Sequence, residues 1–413
     1  MDTLKVRDAG DIEQVVRAAI ASEQPLEIIG HGTKRLIGQP MATNALLDLS
    51  ALNAVTAYEP SELIITVQAG APLADVLSLI DSKSQQLAFE PMNTSRLLGT
   101  AANSGTIGGM IGAGLAGPRR IKAGGVRDHL LGAHAVSGFG DSFKAGGRVV
   151  KNVTGYDLCK LLAGSWGTLA VMTEVTLKVM PRAESERTLV LRGLDDVTAN
   201  RAMTAALGSP FDVSGAAHVP ASAFHPAQGA LADLGSPQQP VTLLRLEGIT
   251  ASAAHRAASL GATLAPFGAA EIVADEVSAA LWSSIRDAAP FAADGMLGAW
   301  PVWRIVCPPA SGGALGQALA RETGGDVIYD WGGGLLWAAL PPSVDAHAAL
   351  LRQRVGAIGG HATLVRAAAP VRRAVDVFHP QDGGLAALGE RVRHAFDPKN
   401  ILNRGRLARG STA

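Results

Sequence analysis

Glycine sets the terms for this chain. It supplies 48 of the 413 residues, many of them gathered in short clusters before residue 170. Glycine loses more backbone freedom on folding than any other residue, so it is tolerated densely where a chain must turn sharply or approach a ligand. Low-complexity disorder would also be glycine-rich, but here the clusters interleave with patterned apolar segments. Loops that cradle a ligand are the better fit.

Other classes fall away on composition. Thirty-six basic residues balance 36 acidic ones, which argues against a nucleic-acid binder that must displace counterions from phosphate. Two cysteines, Cys159 and Cys307, lie far apart; they exclude a cysteine-ligated iron–sulfur cluster or a four-cysteine zinc site within this chain, and no metal site is expected. The first residues are charged from Asp2 onward and lack the apolar core of a signal peptide. No apolar run is long enough for a membrane-spanning helix. A cytoplasmic protein is expected, with no direct membrane span and with any membrane association made through a partner.

The pattern of elements predicts an α+β protein. Ile12, Val15, Val16, Ala19 and Ile20 share a helical face within Asp11–Glu23, and a strand at Leu26–Ile29 runs straight into Gly30-His31-Gly32-Thr33. Further strands are predicted at Leu46–Leu49, Val55–Tyr58, Leu63–Gln68, Leu130–Val136 and Val171–Val179, with a hairpin signal at Ser137–Asp141. Residues 91–125 read as a long loop. Pro181 and the polar run after it mark a boundary. Beyond it, strands near Thr188, Val241, Val302, Val327 and Leu335 alternate with helices at Asp195–Leu207, Ala251–Leu260, Asp275–Arg286, Leu315–Glu322 and Val344–Val355. That mixture predicts an antiparallel sheet covered by helices. Gly208–Pro240 reads as irregular, and a last helix is expected at Gly384–His394. The expected division is 1–181, 182–370 and a tail, 371–413, that returns to the first domain.

Several motifs are absent: the P-loop, H-E-x-x-H and the G-x-S-x-G elbow. A literal G-x-G-x-x-G at Gly112–Gly117 has no strand before it, and Pro118 interrupts any helix after it. Gly30–Lys34 suits an anion better. Successive N–H groups there can converge as a nest, with the Thr33 hydroxyl as a further donor; an ordinary tight turn is the alternative for that segment alone. Two more bare surfaces follow, at Ser104-Gly105-Thr106-Ile107-Gly108-Gly109 and from Lys151–Leu158 into Leu162–Leu169. Three such surfaces fit a long ligand lying across a domain.

In this order, Gly30–Thr33, Ser104–Gly109, Arg127–Gly132, Lys151–Leu158 and Gly164–Leu169 resemble the FAD-binding domain of the vanillyl-alcohol oxidase/PCMH flavoproteins. The tail Phe396–Asn403 resembles that family's closing element, with Arg404 in place of the usual proline. Gly114–Arg120, Trp303–Ile305, Asp330–Gly333 and Gly359–Thr363 further resemble the E subunits of bacterial glycolate oxidases. The resemblance implies a PCMH-type FAD-binding domain plus an α+β cap. It implies FAD held by Ile29, Gly30, His31, Gly32, Thr33, Lys34, Pro91, Thr106, Ile107, Gly108, Gly109, Gly155, Asp157, Gly164, Ser165, Gly167, Thr168, Leu169 and Asn403. Covalent relatives carry histidine where Thr33 stands, so noncovalent FAD is expected, His31 being out of register.

The resemblance also implies oxidation of a 2-hydroxy acid, glycolate to glyoxylate, with hydride passing to the flavin. The implied partners are a D flavoprotein subunit and an F subunit carrying iron–sulfur clusters. Arg304 is the candidate for the substrate carboxylate, since a guanidinium matches it with two parallel hydrogen bonds; a surface ion pair is the alternative role. His361 is the candidate base. Arg119 and Arg120 form a basic pair suited to substrate or to a partner. Trp303, Trp331 and Trp337 suit a flavin pocket or core packing. No metal-binding H-x-H-x-G-D-G-N-like element of the D branch occurs, which leaves a non-catalytic structural or electron-relay subunit, or a stand-alone 2-hydroxy acid dehydrogenase, as alternatives.

Overall fold

The computed structural model describes residues 2–43, 45–147, 156–225, 230–234 and 239–408. Lys151–Thr154 and Gly155 of the third glycine-bearing motif lie outside them.

The first half is built on two main sheets. Asp8 caps the helix Ala9–Ser22 by accepting from Asp11 N, and that helix buries Ile12, Val16 and Ala19. It packs on a parallel sheet in which Ala45–Asp48 lies between Asp2–Lys5 and Leu26–Ile29. An antiparallel sheet follows in the order Val55–Glu59, Ile64–Gln68, Ala170–Lys178, Leu130–Ser137, Ser142–Gly146. The Ser137–Asp141 turn joins Leu130–Ser137 to Ser142–Gly146, while Ala170–Lys178 pairs along the opposite edge of Leu130–Ser137.

Residues 91–125 are not one long loop. They hold short helices at Ser95–Leu98, Ile107–Ala113 and Arg120–Ala123. Thr106 caps the second by accepting from Gly109 N, and Ile107, Met110 and Ile111 face the core at helical spacing. The helix ends at Gly114, whose φ of 64° is left-handed. Glycines inside the helix hide that period in the sequence.

The second half is one eight-stranded antiparallel sheet. Its order is Ala270–Ala274, Ser185–Arg192, Val241–Gly248, Gly215–Val219, Asp326–Asp330, Leu335–Ala339, Val302–Val306, His361–Arg366. Gly215–Val219 falls in the stretch expected to be irregular, yet it is buried throughout. Gly215 itself packs tightly, since a Cβ there would lie 3.0 Å from the Trp282 ring. The helices Asp196–Leu207, Thr250–Thr263 and Gly312–Thr323 contribute to the core on one face. The helix expected at Val344–Val355 runs only over Ala348–Gly356, because Ala346 and His347 are left-handed, with φ of 50° and 59°.

The two halves share a core and a buried ion cluster. Ile37, Met92, Leu97 and Leu98 of the first half pack with Val190, Trp282, Trp331 and Trp337 of the second. Glu90 accepts from Arg245 at 2.8 and 2.9 Å and from the Arg119 backbone at 2.6 Å. Arg119 in turn reaches Glu247 at 2.7 Å. Burial pushes the Glu90 carboxyl up, but Arg245 and Arg119 outweigh it and hold the acid below its ordinary range. After the helix Gly383–Phe396 the chain returns to the first half: buried Asp397 accepts from Ile401 N and Leu402 N, and Leu402 bridges Leu26.

Candidate functional site

The first two glycine surfaces meet. A Cβ on Gly30 would sit 2.4 Å from Thr106 Oγ1, so only glycine lets the Leu26–Ile29 strand end against the Ile107–Ala113 helix. The Gly164–Gly167 turn joins them from the other side, through Gly164 N to Ile111 O at 3.0 Å and Trp166 N to Gly112 O at 2.9 Å. Asn403 completes the frame. Its Oδ1 accepts from Ile28 N at 2.8 Å and its Nδ2 donates to Trp166 O at 2.7 Å.

Between these segments lies an open cleft of about 740 Å³. Ile29, Gly30, His31, Gly32, Thr33, Lys34, Thr106, Gly108, Gly109, Gly167 and Asn403 line it. Pro91, Ile107, Asp157, Gly164, Ser165, Thr168 and Leu169 do not. Pro91 bridges Ala116, Ile107 and Leu169 face the core, and Asp157 precedes the helix Leu158–Leu162. Ser165 and Thr168 hold the turn through Thr168 Oγ1 to Ser165 O at 2.7 Å. Gly155 lies outside the described residues.

The cleft suits an anionic group. Ile107 N, Gly108 N and Gly109 N are already taken by Ala71 O, Ala69 O and Thr106 Oγ1. The N–H groups of His31, Gly32, Thr33 and Lys34 donate to no acceptor among the described residues. Two cations accompany them. Burial lowers Lys34 to about 8, and it lowers Arg406, stacked 5.4 Å over the Trp166 ring, to about 10. Arg406 has Glu27 no nearer than 3.9 Å, since that acid pairs with Arg35 at 2.6 Å. Unpaired donors beside two desolvated cations match the diphosphate of a dinucleotide. His31 Nδ1 is occupied, 2.7 Å from Ser104 O.

A second open cleft, of about 1650 Å³, lies against the eight-stranded sheet and shares Ala113 and Trp166 with the first. Arg304 and His361 both line it. Arg304 is registered with Thr363 and His361 with Val306, so strand alternation puts the two side chains on one face. Arg304 makes no ion pair among the described residues; it lies 5.1 Å over Trp331, with Arg120 at 4.5 Å from the same ring. Burial, then Arg120, lowers Arg304 to about 10. Partial desolvation and Arg304 also lower His361, which favours its neutral form. Arg119 belongs to the ion cluster, and Trp303, Trp331 and Trp337 are buried in the cores.

Sequence reasoning missed Trp166, which joins the clefts, and also Arg406 and His379. Trp166 sits inside a quoted motif and Arg406 just after the closing element, but neither has a spacing that singles it out.

An α+β fold with this cleft defines a PCMH-type FAD-binding protein of the FAD-linked oxidoreductase class. A family model described as an FAD binding domain matches residues 3–146. The chain belongs to the family of glycolate oxidase subunit GlcE: it is 30% identical to that protein from Escherichia coli (strain K12) over 408 residues, covering 96% of each chain. It is also 31% identical to glycolate oxidase subunit GlcD of Bacillus subtilis (strain 168), over 45% of this chain and 38% of that one. The fold is shared with 4-ethylphenol oxidase from Gulosibacter chungangensis, with a TM-score of 0.70 at 13% identity, covering 100% of this chain and 90% of that one. FAD is the cofactor of the family. No helix among the described residues is long and apolar enough to cross a membrane.

Proposed function

We propose that this chain is an FAD-carrying subunit of a glycolate-oxidising assembly. The observation that carries the proposal is the sharing of Ala113 and Trp166 by two clefts, one suited to a dinucleotide and one to a small carboxylate. In this reading the division of labour follows 1–181 for the flavin, 182–370 for the cap and 371–413 for closing the flavin cleft. His31, Gly32, Thr33 and Lys34 hold the diphosphate without a covalent bond, and Asn403 and Gly167 fix the wall beside it.

FAD, when bound, supplies a two-electron oxidant. The chain's residues supply the rest. Arg304 binds the substrate carboxylate. Neutral His361 accepts the proton of the 2-hydroxyl as the carbon beside it loses hydride, so glycolate leaves as glyoxylate. The electrons then require a partner. Cys159 and Cys307 are buried, in different cores, which fits an iron–sulfur subunit and a D-type flavoprotein as companions. A cytoplasmic location, with membrane association only through those companions, goes with this reading.

The test is to purify the full chain, record its visible spectrum and add glycolate without oxygen. Bleaching by glycolate alone or with the D-type subunit supports the proposal. A flavin that stays oxidised in the complete assembly while the D-type flavin is reduced carries no electrons and makes this chain structural, as does a colourless chain.

A further inference from the structure

The second cleft holds a histidine that the mechanism above does not use. His379 lines it together with Arg304 and His361. Its Nδ1 faces two donors: Arg352 Nη1 at 2.7 Å and the backbone N–H of Ala362 at 3.3 Å. A guanidinium has donors only, so Nδ1 must be the acceptor and a neutral His379 must carry its proton on Nε2.

Arg352 is itself held in place. Its Nη1 also donates to Ala362 O, its Nη2 donates to Asp376 O at 2.9 Å and Phe378 O at 3.0 Å, and it lies 5.1 Å over the Trp303 ring. Protonating Nδ1 would set N–H against this clamp. Burial and Arg352 lower His379 accordingly, while Nε2–H has no partner among the described residues.

His361 and His379 therefore differ in kind. The first is a neutral imidazole that makes no hydrogen bond among the described residues and is free to accept; the second is a fixed donor. A hydroxyl both donates and accepts, so the pair complements a hydroxyl and not a methyl group. We propose that His379 is a specificity residue: its Nε2–H donates to the 2-hydroxyl oxygen of the substrate, Arg352 is its positioning residue, and together they select 2-hydroxy acids over plain carboxylates. This rests on the reading of the cleft as the substrate site.

The experiment uses the full FAD-loaded chain, reduced beforehand so that no turnover intervenes. Binding of glycolate and of acetate, which lacks the hydroxyl, is measured by calorimetry. Wild type should prefer glycolate by about tenfold, the scale of one hydrogen bond at about 1.4 kcal/mol. His379→Phe should lower that preference to what His361 alone supplies, and His379→Gln, which keeps a donor, should retain more of it. Nitrogen-15 spectra of histidine-labelled protein should show His379 protonated on Nε2, and Arg352→Met should release that tautomer. An unchanged glycolate-to-acetate ratio in His379→Phe, or a proton on Nδ1 in the wild type, overturns the inference. Arg304→Met separates the two levels. If it weakens both ligands while His379→Phe changes nothing, only the role of His379 fails; if it weakens neither, the substrate cleft itself is wrongly placed.

Discussion

Glu90 and Arg245, 155 residues apart, meet as a two-point pair at 2.8 and 2.9 Å in the buried seam between the flavin half and the eight-stranded sheet. Each needs the other. Arg245 is fully buried and stacks 4.6 Å from the Trp282 ring, so losing Glu90 leaves a dry cation only the longer contacts to Glu247 at 3.4 Å and Glu186 at 3.9 Å.

Glu90→Gln should therefore lower unfolding stability by about 3–5 kcal/mol, the scale for breaking a buried pair. Urea denaturation at pH 7 measures this. The pH dependence has a defined sign. The acid is held below its ordinary value in the fold, so its contribution is present above about 4.3, the unfolded glutamate value, and fades as pH falls further. Glu247, where Arg245 and Arg119 overcome burial to bring the acid down to about 2, extends that loss to lower pH. A variant as stable as wild type would show that the seam does not depend on this pair.

If Lys34 faces the diphosphate as proposed, cofactor affinity should depend on alkali. Burial lowers the lysine to about 8, so below that pH it is charged and ready for a diphosphate. Above it, each pH unit should weaken FAD binding by up to about tenfold, until the pKa of the bound state is passed. Fluorescence titration of FAD from pH 7 to about 10 checks the slope. Lys34→Met should bind weakly and with little slope; an equal slope in that variant would assign the titration to another group.

Much of this was legible in residues, and what was not has a physical cause. The strand Leu26–Ile29 and the loop after it can be read directly, because an apolar run stops at glycines. The helix Ile107–Ala113 cannot, because its glycines carry no hydropathy and its cap is a threonine one residue before it. Gly215–Val219 escaped because alanine and glycine announce no strand; what makes it one is the neighbours it pairs with. Arg304 and His361 were separate guesses until strand pairing put them on one face. His379 had no signal at all, since its tautomer is set by Arg352, a residue 27 positions away.

Gly30 should tolerate no side chain. Gly30→Ala places a methyl 2.4 Å from Thr106 Oγ1 and 2.7 Å from its Cγ2. FAD affinity should drop by at least about tenfold, more than 1.4 kcal/mol. Adding Thr106→Ala removes both clashing atoms and should recover part of the loss. Failure of the second change to help would mean that the damage arises elsewhere in the loop.

Asn403 offers a finer test. Asn403→Ala breaks hydrogen bonds to Ile28 N and Trp166 O, leaving both backbone groups unpaired at a cost of about 1–3 kcal/mol each where they are shielded from water. The variant should release FAD more readily and shift the emission of Trp166. An unchanged dissociation rate would remove Asn403 from the cofactor's frame.

The bond from Asn403 to Ile28 spans 375 positions. A ribosome making this chain thus delivers one wall of the flavin cleft early and its fastener very late. Until residue 403 has emerged, the Trp166 turn has nothing to anchor it to the first sheet. On the proposed reading, tight cofactor loading should then follow synthesis rather than accompany it.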